Sequence, residues 1–412
     1  MKKLLLIGFL VMVISANIYA ASMQAPSIGA KATGMSGAFT AVADDPSSLY
    51  WNPAGLGMCE GTMLMKGNAF IIPVAYYEVE NADKEKNITP VQIIPNCFFT
   101  HDLNDSFSFG LGYYSPFGLK QIWKDDSELR YNSTRSEIWL NTLQIGVSYK
   151  IYDNLFVGGG IGKNFAKLRS KSFVLFRAIP PLVPNPVDGY VKLSGEDEGY
   201  SGSIGFLWEA SPQWKIGGVW RSQTEINFEG ELDLKYPDEY EHPLIGLNRD
   251  EDDFTLDFTF PASASLGVAY NPTDRLLLSG QVDWTNWSVI DTLEVELDTV
   301  DDLEFVRDWK DRYSFRLGAE YEVNPKFTVR GGYMWDPSPV PEDTLDPLMF
   351  DLSTNRFSLG ASFRFWKLDI DAAYSLAQGI KREAEDSENI PATDGDYWGY
   401  SHMFEVSTTY RF

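Results

Sequence analysis

The chain has 412 residues and a formal net charge of −24, from 34 Lys and Arg against 58 Asp and Glu. That balance excludes a nucleic-acid binder of the usual basic kind, because such a protein needs a cationic face to neutralise phosphates. Aromatic residues make up 14% of the chain and 34 residues are Gly, a composition that suits short strands with one lipid-facing and one lumen-facing side.

Lys2 and Lys3 precede an apolar run from Leu4 to Ile14, and Asn17-Ile18-Tyr19-Ala20-Ala21 follows as a small-residue exit. This is the pattern of a secretory signal peptide, too short for a membrane-spanning helix, with cleavage expected after Ala20. No Cys follows that point directly, so a lipoprotein anchor is not expected. The division read from the sequence is a signal peptide at 1–20, an N-terminal segment at 21–61 and a strand-rich body at 62–412. The two cysteines, Cys59 and Cys97, form no disulfide framework, and either a single bridge or two separate thiols is compatible with export.

From Thr62 onward apolar and polar residues alternate. Phe315, Leu317, Ala319 and Tyr321 share one face, while Ser314, Arg316, Gly318, Glu320 and Glu322 share the other. Residues 327–336 and 356–365 repeat the pattern, the period of two that marks strands. Short turns are expected near Leu103-Asn104-Asp105, Tyr152-Asp153-Asn154, Ser211-Pro212-Gln213, Asn271-Pro272-Thr273, Asn324-Pro325 and Trp366-Lys367. Between them fall longer polar loops near 80–90, 123–135, 171–196, 236–252, 298–311, 337–353 and 379–399. Strict alternation of short and long connections predicts an all-β, 14-stranded antiparallel transmembrane β-barrel, with both chain ends on the short-turn side. Such barrels keep short periplasmic turns and long external loops, which a soluble sandwich has no reason to do. The location implied is the Gram-negative outer membrane. Phe404, Val406, Thr408, Tyr410 and Phe412 alternate up to a terminal aromatic residue, the kind of handle that outer-membrane insertion machinery takes.

Eight strands already fill a barrel interior with their own side chains, so fourteen leave a lumen that something else must occupy. Residues 21–61 are the candidate plug: they lack alternation and are rich in Gly, Ala and Ser. Within them Asp45 to Pro53 reads as a short helix, with Asp45 as N-cap, Pro46 at the first helical position and Pro53 as the stop.

The run Gly37 to Asp45, continuing to Asn52-Pro53-Ala54-Gly55-Leu56, resembles the N-terminal hatch of the FadL/TodX family of outer-membrane transporters of long-chain fatty acids and aromatic hydrocarbons. Tyr114-Ser115-Pro116-Phe117-Gly118-Leu119 resembles the family's third strand, Asp283 to Ser288 its ninth, and Pro339 through Gly360 its late loop and twelfth strand. The resemblance implies a hydrophobic small-molecule substrate and a hatch that includes Asn52, Pro53, Ala54 and Gly55. It also implies a lateral opening at the third strand, near Ser115, Pro116 and Gly118. Pro73, Pro95 and Pro116 fall in the first three strands; proline cannot donate to a ladder, so that wall should be weakly bonded.

Catalytic readings find little support. His101, His242 and His402 are scattered, no spacing suits a metal, and Gly158-Gly159-Gly160 sits inside a strand and not before a helix. No enzyme activity, cofactor or metal is expected. An apolar solute does need a foothold outside the membrane, and Phe173, Val174, Leu175, Phe176, Ile179, Leu182 and Val183, with Leu244 and Ile245 from the next outer loop, offer one. The alternative is that these residues pack the loops together. Arg221, Arg316, Arg330 and Arg356 should face the lumen, where a guanidinium could hold a carboxylate or simply pair with wall acids. The expected partners are the hydrophobic solute and the membrane's own lipid and lipopolysaccharide, with the protein acting as a monomer. Rival readings are a general porin, with an open aqueous channel, and a docking or shuttle partner in secretion, with a sealed lumen. The acidic stretches Asp250 to Asp253 and Glu383 to Glu388 suggest cation bridging to lipopolysaccharide.

Overall fold

The computed structural model describes residues 23–24, 28–79, 84–178, 180–241, 249–298, 302–347, 349, 351–387, 389 and 393–412. The expected signal peptide lies outside the described residues, as do Ile179, His242, Leu244, Ile245 and Glu388.

Fourteen antiparallel strands close into a barrel. They are β1 (Thr62–Glu78), β2 (Gln92–Asp102), β3 (Phe107–Ile122), β4 (Arg135–Tyr152), β5 (Leu155–Phe176) and β6 (Val187–Ser211). β7 runs as Trp214–Arg221 and Thr224–Lys235, β8 as Arg249–Phe260 and Ser263–Thr273, β9 as Leu276–Thr285 and Thr292–Leu297, and β10 as Leu303–Val306 and Arg312–Asn324. β11 (Phe327–Asp336), β12 (Thr354–Phe365), β13 (Leu368–Gly379) and β14 (Gly395–Arg411) complete the wall. β14 pairs back onto β1 from Met63↔Arg411 to Glu78↔Asp396, which removes the open edge that lipid could not satisfy. No helix among the described residues is long and apolar enough to cross a membrane.

The alternation read from the sequence sorts as expected. On β10, Phe315 and Leu317 face outward, at 46% and 62% exposure, while Ser314 and Arg316 are buried toward the lumen. Trp208, Trp214, Trp366 and Phe412 are exposed near the short-turn end, where aromatic rings suit the membrane boundary.

Two expectations are corrected. The loop placed at 171–196 is largely strand: β5 and β6 pair without interruption as far as Phe176↔Val187, and β6 alone has 25 residues. A tilted strand needs roughly 10 residues to cross the bilayer, so this wall stands well clear of the membrane. Beyond the lipid both faces meet water or protein, and the alternation that identifies a membrane strand fades. The turn placed at 271–273 falls at Asp274-Arg275; Asn271-Pro272 instead makes a bulge in β8 between Tyr270 and Thr273, as the missing N–H of proline requires.

Breaks in β7 and β8 change which face is apolar. In the membrane half of β8, Ser263, Ser265 and Ala269 point inward and Leu266 and Val268 outward. Beyond Pro261-Ala262, Phe254, Leu256, Phe258 and Phe260 are buried while Glu251, Asp253 and Asp257 are exposed. The inward set passes from odd to even numbers, because slipping a strand by one residue exchanges its faces. Ser222-Gln223 does the same in β7, where Val219 is inward below the break and Ile226 and Phe228 above it.

Residues 28–61 fill the lumen of the membrane half. They contain α1 (Ala30–Thr33), α2 (Ser48–Trp51) and a 3-10 turn at Pro53–Met58. α2 is one turn only; the Asp45 side chain accepts from the Ser47 amide at 2.8 Å and its hydroxyl at 2.5 Å, a local turn in place of the expected N-cap. Small residues allow the close fit. Gly37 has φ +76°, and the space its Cβ would take is held by the Arg316 guanidinium and the Trp51 ring.

Candidate functional site

Polar contacts between hatch and wall position everything else. Asn52, fully buried, donates from Nδ2 to the carbonyls of Thr40 and Phe206, both at 2.9 Å, and its Oδ1 accepts from the Ala54 amide at 3.2 Å. Pro53 begins the 3-10 turn, and the Ala54 carbonyl accepts from the Ser148 hydroxyl at 2.8 Å. Gly55 packs so closely on the Ala43 backbone that no side chain fits there. On the opposite side Glu405 accepts from the Gly29 amide at 2.9 Å, the Thr33 hydroxyl at 2.6 Å and Asn96 at 3.0 Å. Gln281 accepts the amides of Phe39 and Thr40 at 3.0 and 2.9 Å.

The four arginines do face the lumen, but three of them are engaged. Arg221 donates to the carbonyls of Tyr50 and Trp51 at the end of α2, at 2.6 and 3.0 Å. Arg316 pairs with Asp283 at 2.5 Å and donates to the Ser36 carbonyl at 3.0 Å. Arg330 joins Glu320 at 2.6 Å and Asp371 at 3.2 Å, and Lys31 of the hatch links to Glu320 at 3.6 Å and to Asp44 at 2.7 Å. Arg356 differs. It is buried, its Nε has no hydrogen-bond partner among the described residues, and it lines a cavity of about 10 Å³ with Tyr50, Trp51, Asp336 and Gln24.

Above the hatch the inverted faces of β7 and β8 produce an apolar interior. Phe228, Phe254, Phe258 and Phe260 belong to one buried cluster that continues to Trp287 and Phe117. The Phe117 ring lies 5.3 Å from Phe260 and 6.2 Å from Trp287. Sequence reasoning missed this strip. Its signal was the alternation of Asp and Thr with Phe and Leu from Asp253 to Phe260, which a reading that places apolar residues against lipid assigns to no interior.

Phe117 also sits at a seam in the wall. The β2–β3 ladder runs from Asp102↔Ser108 to Cys97↔Tyr113 and stops there. On its other side β3 shifts register against β4 between Tyr114 and Phe117, where Ser115 and Pro116 form a bulge. The Ser115 hydroxyl donates to Asn141 at 2.6 Å, and the Trp139 ring occupies the space beside Gly118. Chain from the N-terminal segment takes the vacant edge: Gln24 bridges to Phe117, and the Gly118 amide donates to the Met23 carbonyl at 2.9 Å. A cavity of about 40 Å³ lies behind the seam, lined by Gln24, Tyr114, Pro116, Phe117 and Arg221. Pro73, by contrast, sits within the β1–β14 ladder opposite Ser401.

The outer apolar residues do not gather into one groove. Phe173 and Leu175 lie on the outward side of β5, and Phe173 packs on Tyr190 at 6.3 Å. Phe176 points to the other side, 5.1 and 5.4 Å from the rings of Tyr236 and Tyr240. Val174 and Leu175 are exposed, Leu182 is half-buried and Val183 fully buried. Cys59 and Cys97 are both free thiols.

A closed barrel with an apolar belt, a lumen packed by its own N-terminal segment and an apolar chamber above it defines a plugged β-barrel of the outer membrane. Residues 11–412 match the family model described as outer membrane protein transport protein (OMPP1/FadL/TodX), and the chain belongs to that family. It is 22% identical over 401 residues to the long-chain fatty acid transport protein of Escherichia coli, covering 90% of each chain. The fold is similar to a Pseudomonas aeruginosa FadL homologue (TM-score 0.84, 19% identity, 95% of this chain and 100% of that one). It is also similar to the Pseudomonas putida toluene transporter TodX (TM-score 0.74, 17% identity, 96% and 100%).

Proposed function

We propose that the chain admits a hydrophobic small molecule, a long-chain fatty acid or an aromatic hydrocarbon, through the apolar chamber and releases it sideways into the membrane at the β2–β3 seam. The observation that carries this reading is Phe117, which belongs at once to the chamber's buried cluster and to the bulged strand where the ladder stops. Ring and methylene surface gains roughly 0.8 kcal/mol per buried methylene; a greasy solute therefore favours a route from chamber to lipid over one through water. Met23 and Gln24 occupy the seam's edge, so release requires the N-terminal segment to shift. Outer capture falls to the exposed Val174 and Leu175 and the rings around Phe176, with Phe173 on the same strand and Leu182 and Val183 just beyond it; Ile179, Leu244 and Ile245 lie outside the described residues. Arg356, with its uncommitted Nε, is the residue placed to meet a carboxylate; Arg221, Arg316 and Arg330 hold the hatch and wall. One chain closes its own barrel and supplies its own plug, so a monomer suffices. An open aqueous porin does not fit a lumen in which Ile28, Met35, Phe39 and Leu49 are all fully buried.

Uptake of labelled oleate and labelled toluene by a deletion strain tests the reading. Removing Ser115 takes out the extra residue of the bulge and should let the β3 ladder run straight. Uptake is expected to fall to the level of the empty strain while the barrel still resists denaturation. Undiminished uptake by that variant would overturn lateral release.

A further inference from the structure

The external wall above the lipid belt distributes its charge unevenly. On β7 and β8 like charges stand directly opposite one another, Glu231↔Asp253 and Asp233↔Glu251. On β5 the outward positions run from Ile161, 67% exposed, into Lys163, Phe165, Lys167, Arg169, Lys171 and Phe173. Register places Arg135 of β4 across from Lys171, and Lys171 across from Lys192 of β6. Three cations thus sit side by side within about 10 Å, at roughly 4.8 Å per strand spacing. Like charges directly opposite destabilise a sheet, so this row favours an anion laid across it.

We propose that the outward face of β4–β6 is a docking surface for a phosphorylated glycolipid of the outer leaflet. The height fits: the cations begin where aliphatic residues end, and positions 163 to 171 rise about 26 Å along the strand, through the level of lipid phosphates and sugars. The chemistry fits as well. Lys171 lies 4.6 Å from the Phe173 ring and 5.3 Å from that of Tyr190, and Lys192 lies 4.4 Å from Tyr190; rings beside cations suit a boundary between acyl chain and headgroup. Carboxylates are present but do not cancel the row. Lys171 pairs with Asp125 at 2.7 Å, Lys167 with Glu196 at 2.7 Å, Arg135 with Glu137 at 3.1 Å, and Lys163 with Glu198; Asp233 lies across from Lys192. Exposed pairs of this kind are weak, and a multivalent anion can displace them. Arg169 makes no close ion pair among the described residues, although it stands across from Glu137 and in the field of Glu196. In a chain of net charge −24, a row of cations this dense is a local exception that suits phosphate.

The full-length protein in detergent tests the surface by lipid-binding titration with diphosphorylated lipid A, chemically dephosphorylated lipid A, and inorganic phosphate alone. Wild type is expected to bind the diphosphorylated lipid and to lose it with rising salt. The triple variant Arg169→Ala, Lys171→Ala, Lys192→Ala should bind about a hundredfold more weakly, the scale for three cations near an anionic lipid surface. Asp253→Asn on the acidic wall, across from Glu231 and away from β4–β6, should change nothing. Equal binding of the dephosphorylated lipid to wild type would overturn the proposal, whatever the variant does. So would unchanged affinity in the triple variant, saturation by inorganic phosphate at similar concentration, or self-association of the chain in place of lipid binding. Solute uptake plays no part in the readout, so failure here leaves the transport reading standing.

Discussion

Replacing Asn52 by Ala should unlatch the hatch without unfolding the barrel. The side chain makes three buried hydrogen bonds, to the Thr40 and Phe206 carbonyls and from the Ala54 amide. Each such bond contributes about 1 kcal/mol net, and the groups left behind are buried and unsatisfied. Only the Phe206 bond joins hatch to wall, since Thr40 and Ala54 belong to the hatch itself, so a loss of about 1–2 kcal/mol in docking changes the closed-to-open ratio by about 5- to 30-fold. The barrel ladders do not depend on it, because β5, β6 and β7 pair continuously past Phe206. Single-channel recording in planar bilayers is the direct assay. Wild type should stay closed, whereas Asn52→Ala should show frequent openings with the denaturation midpoint of the barrel unchanged. Gly158→Ala, whose added methyl would collide with the Pro53 backbone, should give the same openings through an unrelated contact. If both variants stay as closed as wild type, Asn52 is not what holds the hatch to the wall.

Two further outcomes follow from the outer half. Phe258→Ala removes a ring buried between Phe228 and Phe260. It should cost about 3–5 kcal/mol locally, seen as faster hydrogen exchange in the outer segments of β7 and β8 with the membrane segments unaffected. Burial, reinforced by the nearby Asp336 charge and opposed by Arg382, raises the Asp351 carboxyl in the 337–353 loop to about 7. The folded loop therefore holds a proton that the open loop releases above its ordinary pKa near 4, so its stability is full at acidic pH and declines as pH rises through 7. Corrected for the base-catalysed intrinsic rate, hydrogen exchange in the loop should quicken between about pH 4 and pH 7 and level off above, and Asp351→Asn should abolish that corrected dependence.

Some of this was legible residue by residue. The faces of 314–322 and 327–336 alternate strictly, because lipid on one side and a polar lumen on the other impose opposite chemistries at each step. Asn52-Pro53 stood out only through its resemblance to the family's hatch motif; the contacts with the Phe206 carbonyl and the Ser148 hydroxyl come from the wall and are not written in the local pattern. The basic run on β5 was legible as residues but not as a surface, since only the register sets Arg135 and Lys192 beside Lys171.

By itself the sequence determined the class of fold, the number of strands and which end carries the long loops, since these depend on local periodicity and turn chemistry. The tertiary structure decided what the lumen is for. Where a strand breaks by two residues, at Ser222-Gln223 and Pro261-Ala262, its inward and outward faces exchange, and only the paired neighbours show which face ended inside. It also decided that the β2–β3 ladder stops at Tyr113 and that Met23 and Gln24 take the empty edge, a contact between segments about ninety residues apart that no local pattern encodes.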